Sequence, residues 1–388
     1  MAHVLVTDAQ MRSTLAVIRS LGKHKISITA GEETRFATGF FSKYCTNHVV
    51  YPSPTEHKED FINFIIDLVQ HKKYDMLIPV ANPCLLPIIE NEKEISQYCK
   101  IALPPKEIFL KAYNKENTLK LAMDNHVACP KTFFIYSIDD LFLNKNNFQY
   151  PLVIKPKVSA GSRGFVICHS FIELLENYKH ITKKFGEILI QEYIPNGGEF
   201  GVYTLFNKDS EPISVSVQKR IRTYPVKGGP STLRETIKND LSDEAIKTAF
   251  RLLRLLNWVG VAMVEFRTDA RDGIPKLMEI NPRFWGSLEL SILSGVDFPY
   301  LLYQSMNNEV IETNLHYKAG VKCRWILPGD ILWYLSSQDK IKNLPEFLRF
   351  DLPDDIISKD DPLPTLGFGL ATLRYAFDRK MWNFVIRR

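Results

Sequence analysis

The residues best suited to chemistry lie in two short runs, Val264-Glu265-Phe266 and Met278-Glu279-Ile280-Asn281-Pro282-Arg283. In both, polar side chains alternate with apolar ones, the pattern of strands with one buried face. Asp272-Gly273 between them is a turn signal, so the runs are expected to pair as a hairpin. Glu279 and Asn281 are two residues apart and share a side, and the hairpin brings Glu265 to them. Three hard oxygen donors of this kind suit Mg²⁺, which takes few protein ligands and completes its shell with water and substrate phosphates. Arg283 then lies beside the metal as a fork-shaped donor to a phosphoryl group. A structural ion pair is the alternative, because carboxylates among apolar residues are costly to bury unpaired.

Two further segments suit phosphates and a purine. Lys155 of Ile154-Lys155-Pro156 ends an apolar run and is followed by a small-residue loop containing Ser159, Gly161, Ser162 and Gly164. Free backbone amides of such a loop can wrap anionic oxygens facing the lysine, although an ordinary hairpin with a solvated lysine has the same composition. Gln191-Glu192-Tyr193-Ile194-Pro195 then leads to Gly197-Gly198-Glu199. Here backbone groups and Glu192 can meet an adenine edge while Glu199 accepts from ribose hydroxyls; an edge strand with solvated carboxylates fits equally well.

An acceptor side is readable farther along. Arg220 and Arg222 alternate and are expected on one face, where they can neutralise a carboxylate or an acyl phosphate, and Gly228-Gly229 lets backbone approach the same group. Trp285, in Phe284-Trp285-Gly286-Ser287, is either a pocket wall or a core aromatic.

These residues need a scaffold, and its elements are legible in outline. Apolar runs at 3–7, 26–30, 49–51 and 75–80 alternate with helical spacing at 11–21, which Gly22 is expected to end, and at 60–69. That alternation indicates a parallel α/β layer, and Pro104-Pro105 marks its end. The turn after the first strand, Thr7-Asp8-Ala9-Gln10-Met11-Arg12, lacks the GxGxxG glycines, and GxxxxGK[ST] is absent from the chain, which excludes the dinucleotide and P-loop routes to phosphate binding. From 110 onward the runs read as α+β, with a helix at 114–125 that opens on Lys115. Beyond about 300 the chain is aromatic-rich and broken by Pro345, Pro353, Pro362 and Pro364, and no chemistry is assigned to it.

Composition narrows the class. The 388 residues are 45% hydrophobic and carry 49 Lys and Arg against 44 Asp and Glu, a balance that suits a globular protein and gives no basic patch for nucleic acid. Six cysteines are scattered without a CxxC pair, so neither a zinc set nor a disulfide framework is expected. The start runs straight into a strand, and no stretch approaches the ~18 apolar residues of a membrane span. The expectation is a cytoplasmic protein with no transmembrane segment and no nucleic-acid partner.

Taken together, the order and spacing of these motifs resemble the ATP-grasp superfamily, in particular its carboxylate-amine ligases, related to biotin carboxylase and D-alanine-D-alanine ligase. The resemblance covers roughly residues 1 to 300, and the 218–232 and 284–288 segments resemble a subgroup of predicted ATP-dependent carboligases. It implies an α/β and α+β chain: a parallel α/β pre-ATP-grasp domain (1–106), a lid subdomain (107–197), a larger subdomain with the metal site (198–305) and an extension of unknown role (306–388). On that mapping Lys115 and Lys155 contact phosphates, and Ser159, Gly161, Ser162 and Gly164 form the covering loop. Glu192, Tyr193 and Ile194 hold adenine, and Glu199 grips ribose. Glu265, Glu279 and Asn281 bind magnesium, while Arg283, Lys155 and Arg220 act in catalysis. Arg220, Arg222, Gly228, Gly229, Trp285 and Ser287 line the substrate side. The implied cofactors are ATP and two Mg²⁺, with Mn²⁺ as a substitute. The implied reaction joins a small-molecule carboxylate to an amine through an acyl phosphate, in an assembly that is commonly a homodimer. An ATP-dependent phosphotransferase and a non-catalytic nucleotide-binding protein are the alternatives.

Overall fold

The computed structural model describes residues 2–158, 164–226 and 228–376. Its strands form three sheets among these residues. The first comprises β1 (His3–Val6), β2 (Ser27–Glu32), β3 (Asn47–Val50), β4 (Met76–Ile78) and β5 (Lys100–Ile101), all parallel, in the order β3-β2-β1-β4-β5. Val4, Leu5 and Val6 are fully buried, as strands covered by helices on both faces require. The helix Arg12–Lys23 buries Leu15, Val17, Ile18 and Leu21. Gly22 lies within this helix instead of ending it. A Cβ there would come within 2.4 Å of Tyr44 Cβ, so the glycine serves a close packing contact and not a helix stop.

The second sheet comprises β6 (Thr132–Phe134), β7 (Leu152–Pro156), β8 (Val166–Cys168) and β9 (Ile188–Glu192), antiparallel in the order β6-β9-β7-β8. It has its own core around Leu141, Leu152, Ile154, Leu174 and Ile190. The third sheet comprises β10 (Asn196–Phe206), β11 (Pro212–Thr223), β12 (Ser231–Thr236), β13 (Gly260–Asp269), β14 (Pro275–Asn281) and β15 (Lys322–Arg324), in the order β14-β13-β10-β11-β12-β15. One hydrophobic cluster runs from Val4, Val6 and Ile28 of the first sheet to Val202, Leu205, Val264 and Trp285 of the third, so these two sheets share a core. Only residues 193–195 connect β9 to β10, which makes this segment the hinge between the second and third sheets.

The stretch beyond 300, read from sequence as irregular, is tied into the body by buried charge. Lys322–Arg324 pairs with β12, a placement its polar residues conceal, because Arg324 is fully buried only through its ion pair with the equally buried Asp330. Arg19 reaches from the helix Arg12–Lys23 to Asp361 Oδ2 (3.0 Å) and to the carbonyls of Asp355, Ile356 and Asp361. Residues 377–388 lie outside the described residues. No helix among them is long and apolar enough to cross a membrane.

Two outcomes follow from buried charge in this scaffold. Arg19→Ala leaves Asp361, 1% exposed, without its cation and is expected to cost about 3 kcal/mol in denaturant unfolding. Burial, with Asp8 nearby, pushes the Glu32 carboxyl from 4.5 up to about 7. The unfolded chain therefore loses this proton first, so the group's contribution is full below about pH 4.5 and is lost as pH rises towards 7, by at most about 3 kcal/mol. Chemical denaturation of wild type and Glu32→Gln across pH 4 to 8 should show a flatter profile in the variant, and parallel profiles would contradict the assignment.

Candidate active site

The anticipated hairpin forms: β13 and β14 pair antiparallel, with Glu265 opposite Glu279 and Met263 opposite Asn281. Two carboxylates directly across a ladder repel one another, and each is met by a cation from elsewhere in the fold. Lys115 Nζ lies 3.2 Å from Glu279 Oε2, and Arg220 Nη2 lies 2.5 Å from Glu265 Oε1. Burial alone raises both carboxyls. For Glu279, Lys115 and Lys155 reverse that and hold it down to about 2. For Glu265, burial and the neighbouring Glu279 prevail over Arg220 and the shift is upward.

Each cation is positioned by a local device. Lys115 is the first residue of the helix Lys115–Asp124, whose N-cap Asn114 accepts from the backbone N–H of Glu116. Glu116 in turn pairs with Lys157 Nζ at 2.6 Å and accepts from Tyr136 Oη at 2.5 Å, tying the helix to the end of β7. Lys157 went unnoticed in the sequence, although its spacing of two from Lys155 was the available signal. Lys155 on β7 is itself buried, and burial together with Lys115 pushes its ammonium down to about 8. Arg283 is fixed on three sides: Nε donates to Asn82 Oδ1 (2.7 Å), Nη1 to the carbonyl of Phe284 (2.9 Å) and Nη2 to Asn281 Oδ1 (3.1 Å). Asn281 Nδ2 donates to Glu279 Oε1 at 2.9 Å.

Glu199 joins this constellation through its counter-charges, pairing with Arg220 Nη1 at 3.0 Å and with Arg267. Glu192 accepts from the backbone of Lys131 (2.9 Å) and pairs with Arg271 (3.1 Å) at the hinge, where Ile194 is buried and the Tyr193 N–H donates to the carbonyl of Pro151. Gly164 has φ +75°, and a Cβ on it would meet Pro156 at 2.7 Å. Ser159, Gly161 and Ser162 lie outside the described residues.

A cavity of about 260 Å³ opens beside the carboxylates and is lined by Glu265, Glu279, Asn281, Arg220 and Arg283. Gly229, Trp285 and Ser287 border it too. Gly229 has to be glycine, since a Cβ would sit 2.3 Å from the carbonyl oxygen of Tyr224. Trp285 combines the two roles left open by the sequence, being 1% exposed and packed on Tyr203 and Phe298 while bordering the cavity. Ser287 Oγ donates to Gln218 Oε1 at 2.7 Å.

Arg222 departs from its expected place. Register shifts on both sides of it break the alternation with Arg220, and its guanidinium pairs with the buried Asp330 at 3.0 Å over the ring of Trp333. Arg12 was not anticipated; it borders the cavity from the start of the first domain's helix. Gly228 is the residue before the cavity-lining Gly229 and has φ +129°.

Glu265, Glu279 and the Asn281 amide oxygen fit a hard divalent cation by donor type, being three oxygens on adjacent strands beside a cavity. If Arg222 serves its ion pair with Asp330, Arg222→Gln lowers stability by about 2 kcal/mol in denaturant unfolding. Unchanged stability would return Arg222 to the cavity.

The chain is similar in sequence and fold to several known proteins. A family model described as ATP-grasp in the biosynthetic pathway with Ter operon matches residues 184–327. D-alanine--D-alanine ligase A of Bacillus cereus is 25% identical over 210 residues, which is 52% of this chain and 67% of that protein. The carbamoyl phosphate synthase large chain of Methanobrevibacter smithii is 24% identical over 159 residues, 40% of this chain but only 15% of that protein. Among solved structures, the biotin carboxylase domain of Hydrogenobacter thermophilus 2-oxoglutarate carboxylase, a dimer with MgADP, ADP and bicarbonate, superposes with a TM-score of 0.67 at 16% identity, covering 82% of this chain and 73% of that one. The chain is thus similar in fold to this carboxylase, and its residues 184–327 resemble the ATP-grasp family.

Proposed function

We propose that the chain is an ATP-dependent carboxylate-amine ligase that forms an amide through an acyl phosphate and releases ADP and phosphate. The observation that carries this reading is the meeting of Glu265, Glu279, Asn281 and Arg283 with Lys115 beside one open cavity. The D-alanine ligase among the relatives and the MgADP of the biotin carboxylase structure support it.

In this reading Lys115 and Lys155 hold the ATP phosphates beneath the loop of Ser159, Gly161, Ser162 and Gly164. The hinge at 192–194 takes the adenine and Glu199 the ribose. Glu265, Glu279 and Asn281 hold Mg²⁺, which when bound offsets phosphate charge as it shifts during transfer. A carboxylate oxygen of the substrate attacks the γ-phosphorus, and the bond to ADP breaks. Arg283 donates to the transferring phosphoryl group; because three acceptors already fix it, little reorganisation is needed. Arg220 pairs with Glu265 and holds it in place. The amine nitrogen then attacks the acyl carbon, phosphate leaves with the C–O electrons, and the amine gives up a proton. A cytoplasmic location and a homodimer, the assembly named for the carboxylase relative, complete the proposal.

The test is ADP and phosphate release with ATP and Mg²⁺ across a matrix of small acids with and without amines. Release that requires one acid and one amine, with an amide mass in the product, is the expected result. Glu279→Ala should lower turnover by ~10² to 10³-fold. A stable phosphorylated product without any amine requirement would replace the ligase with a phosphotransferase, and near-normal turnover in the variant would remove Glu279 from the site.

A further inference from the structure

The cavity extends well beyond the metal-ligand end. Its lining includes Glu279 and Asn281 on β14, Glu265 on β13, Tyr203 on β10, Arg220 on β11 and Ser231 at the start of β12. These strands are adjacent in that order, and with strands about 4.8 Å apart the lining spans roughly 19 Å of backbone. Arg12 borders the cavity beside Ser231. Its guanidinium lies 4.1 Å from the centroid of the Trp325 ring, and Gly286 packs against it so closely that a Cβ would be 2.9 Å from Nη2 and 3.1 Å from Nε. Nη1 donates to Asp355 Oδ2 at 2.7 Å, while the Ser231 carbonyl is met only at 3.4 Å and 3.5 Å. Asp355 is shared, since its other oxygen takes Arg234.

Donor capacity is therefore left over at this end. A guanidinium has five N–H donors, and among the described residues the Arg12 Nε–H has no acceptor. The indole Nε1–H of Trp285, which borders the same cavity and is 1% exposed, also lacks a partner. Buried donors are ordinarily satisfied, so the spare indole N–H, on the same cavity as a partly exposed guanidinium with an unmatched N–H, points to a ligand acceptor. A flat, fixed guanidinium is the group that best matches a carboxylate or phosphate edge. The size is also limiting: about 260 Å³ falls below the ~300 to 1,000 Å³ of drug-sized pockets.

Building on the ligase reading, we infer that the acid substrate is a small, elongated dianion, with its reacting carboxylate at Arg283 and a second anionic group, carboxylate or phosphate, held by Arg12. Arg12 is thus a specificity-determining residue. The Gly286 position is part of the same device, because any side chain there displaces the guanidinium.

Calorimetry of the full chain with saturating MgADP tests this. The probes are succinate, glutarate, adipate and suberate, the monocarboxylates of equal chain length, and 4-phosphonobutyrate. At least one diacid or the phosphono acid should bind ~10- to 100-fold more tightly than its monoanionic counterpart, the effect of one charged hydrogen-bonded pair. Whichever of adipate and 4-phosphonobutyrate binds more tightly identifies the distal group. Arg12→Gln should reduce the preference to within about threefold at unchanged MgADP affinity. If that variant fails to fold, Gly286→Ala, which leaves Asp355 its arginine, should reduce the same preference. Equal binding of mono- and dianions by the wild type, or a preference that survives in the folded variant, overturns the inference while leaving the ligase reading intact. Failure of MgADP itself to bind would overturn both.

Discussion

Glu265 and Glu279 face each other across one rung of an antiparallel ladder, and much of the architecture answers the repulsion this creates. Two like charges in partly buried positions are tolerable only with counter-charge close by. The fold supplies it from separate places: Lys115 from a helix N-terminus beside the second sheet, Lys155 from β7 within that sheet, and Arg220 from β11. Arg283, held by Asn82 of the first domain, adds a link to the remaining layer. A site of this kind is assembled by the tertiary structure and couples the positions of all three sheets, so the hinge at 193–195 is the natural place for the second sheet to move relative to the third.

The same principle shapes the other end of the cavity. Arg12, Arg234 and Asp355 form a buried group in which two guanidiniums share one carboxylate, and Arg222 and Arg324 share Asp330 in the same way. Both aspartates come from the stretch beyond 300. That stretch therefore positions Arg12, which borders the cavity, without lining the cavity itself. Buried charges of this kind contribute little net stability but fix which side chains meet, and here they fix the orientation of Arg12 against Trp325.

Sequence patterns revealed the parts governed by local rules. The β13–β14 hairpin was readable because Asp272-Gly273 marks a turn and Glu279 and Asn281 are two apart. The parallel layer was readable from short apolar runs alternating with helical spacing. Features that depend on distant partners were hidden. Arg222 looked equivalent to Arg220 until register shifts turned it towards Asp330, some hundred residues away in sequence. Gly22 read as a helix stop because its packing partner, Tyr44, lies on a different element. Lys322–Arg324 did not read as a strand, since its charged residues are buried only by virtue of partners that no periodicity shows. Arg12 was noted only as part of a turn without glycines, and nothing in that turn signalled a cavity formed by β12 and the 284–287 loop.

The central claim is that this site moves the γ-phosphoryl group of ATP onto a carboxylate oxygen. It is tested most directly by supplying an accepted acid labelled with ¹⁸O in its carboxylate and measuring the mass of the phosphate released during amide formation. The account predicts that one ¹⁸O atom appears in each phosphate, because the C–O bond broken by the amine belonged to the labelled carboxylate. Phosphate without label, with the displaced ¹⁸O found in AMP or in water instead, or no amide at all, would contradict it.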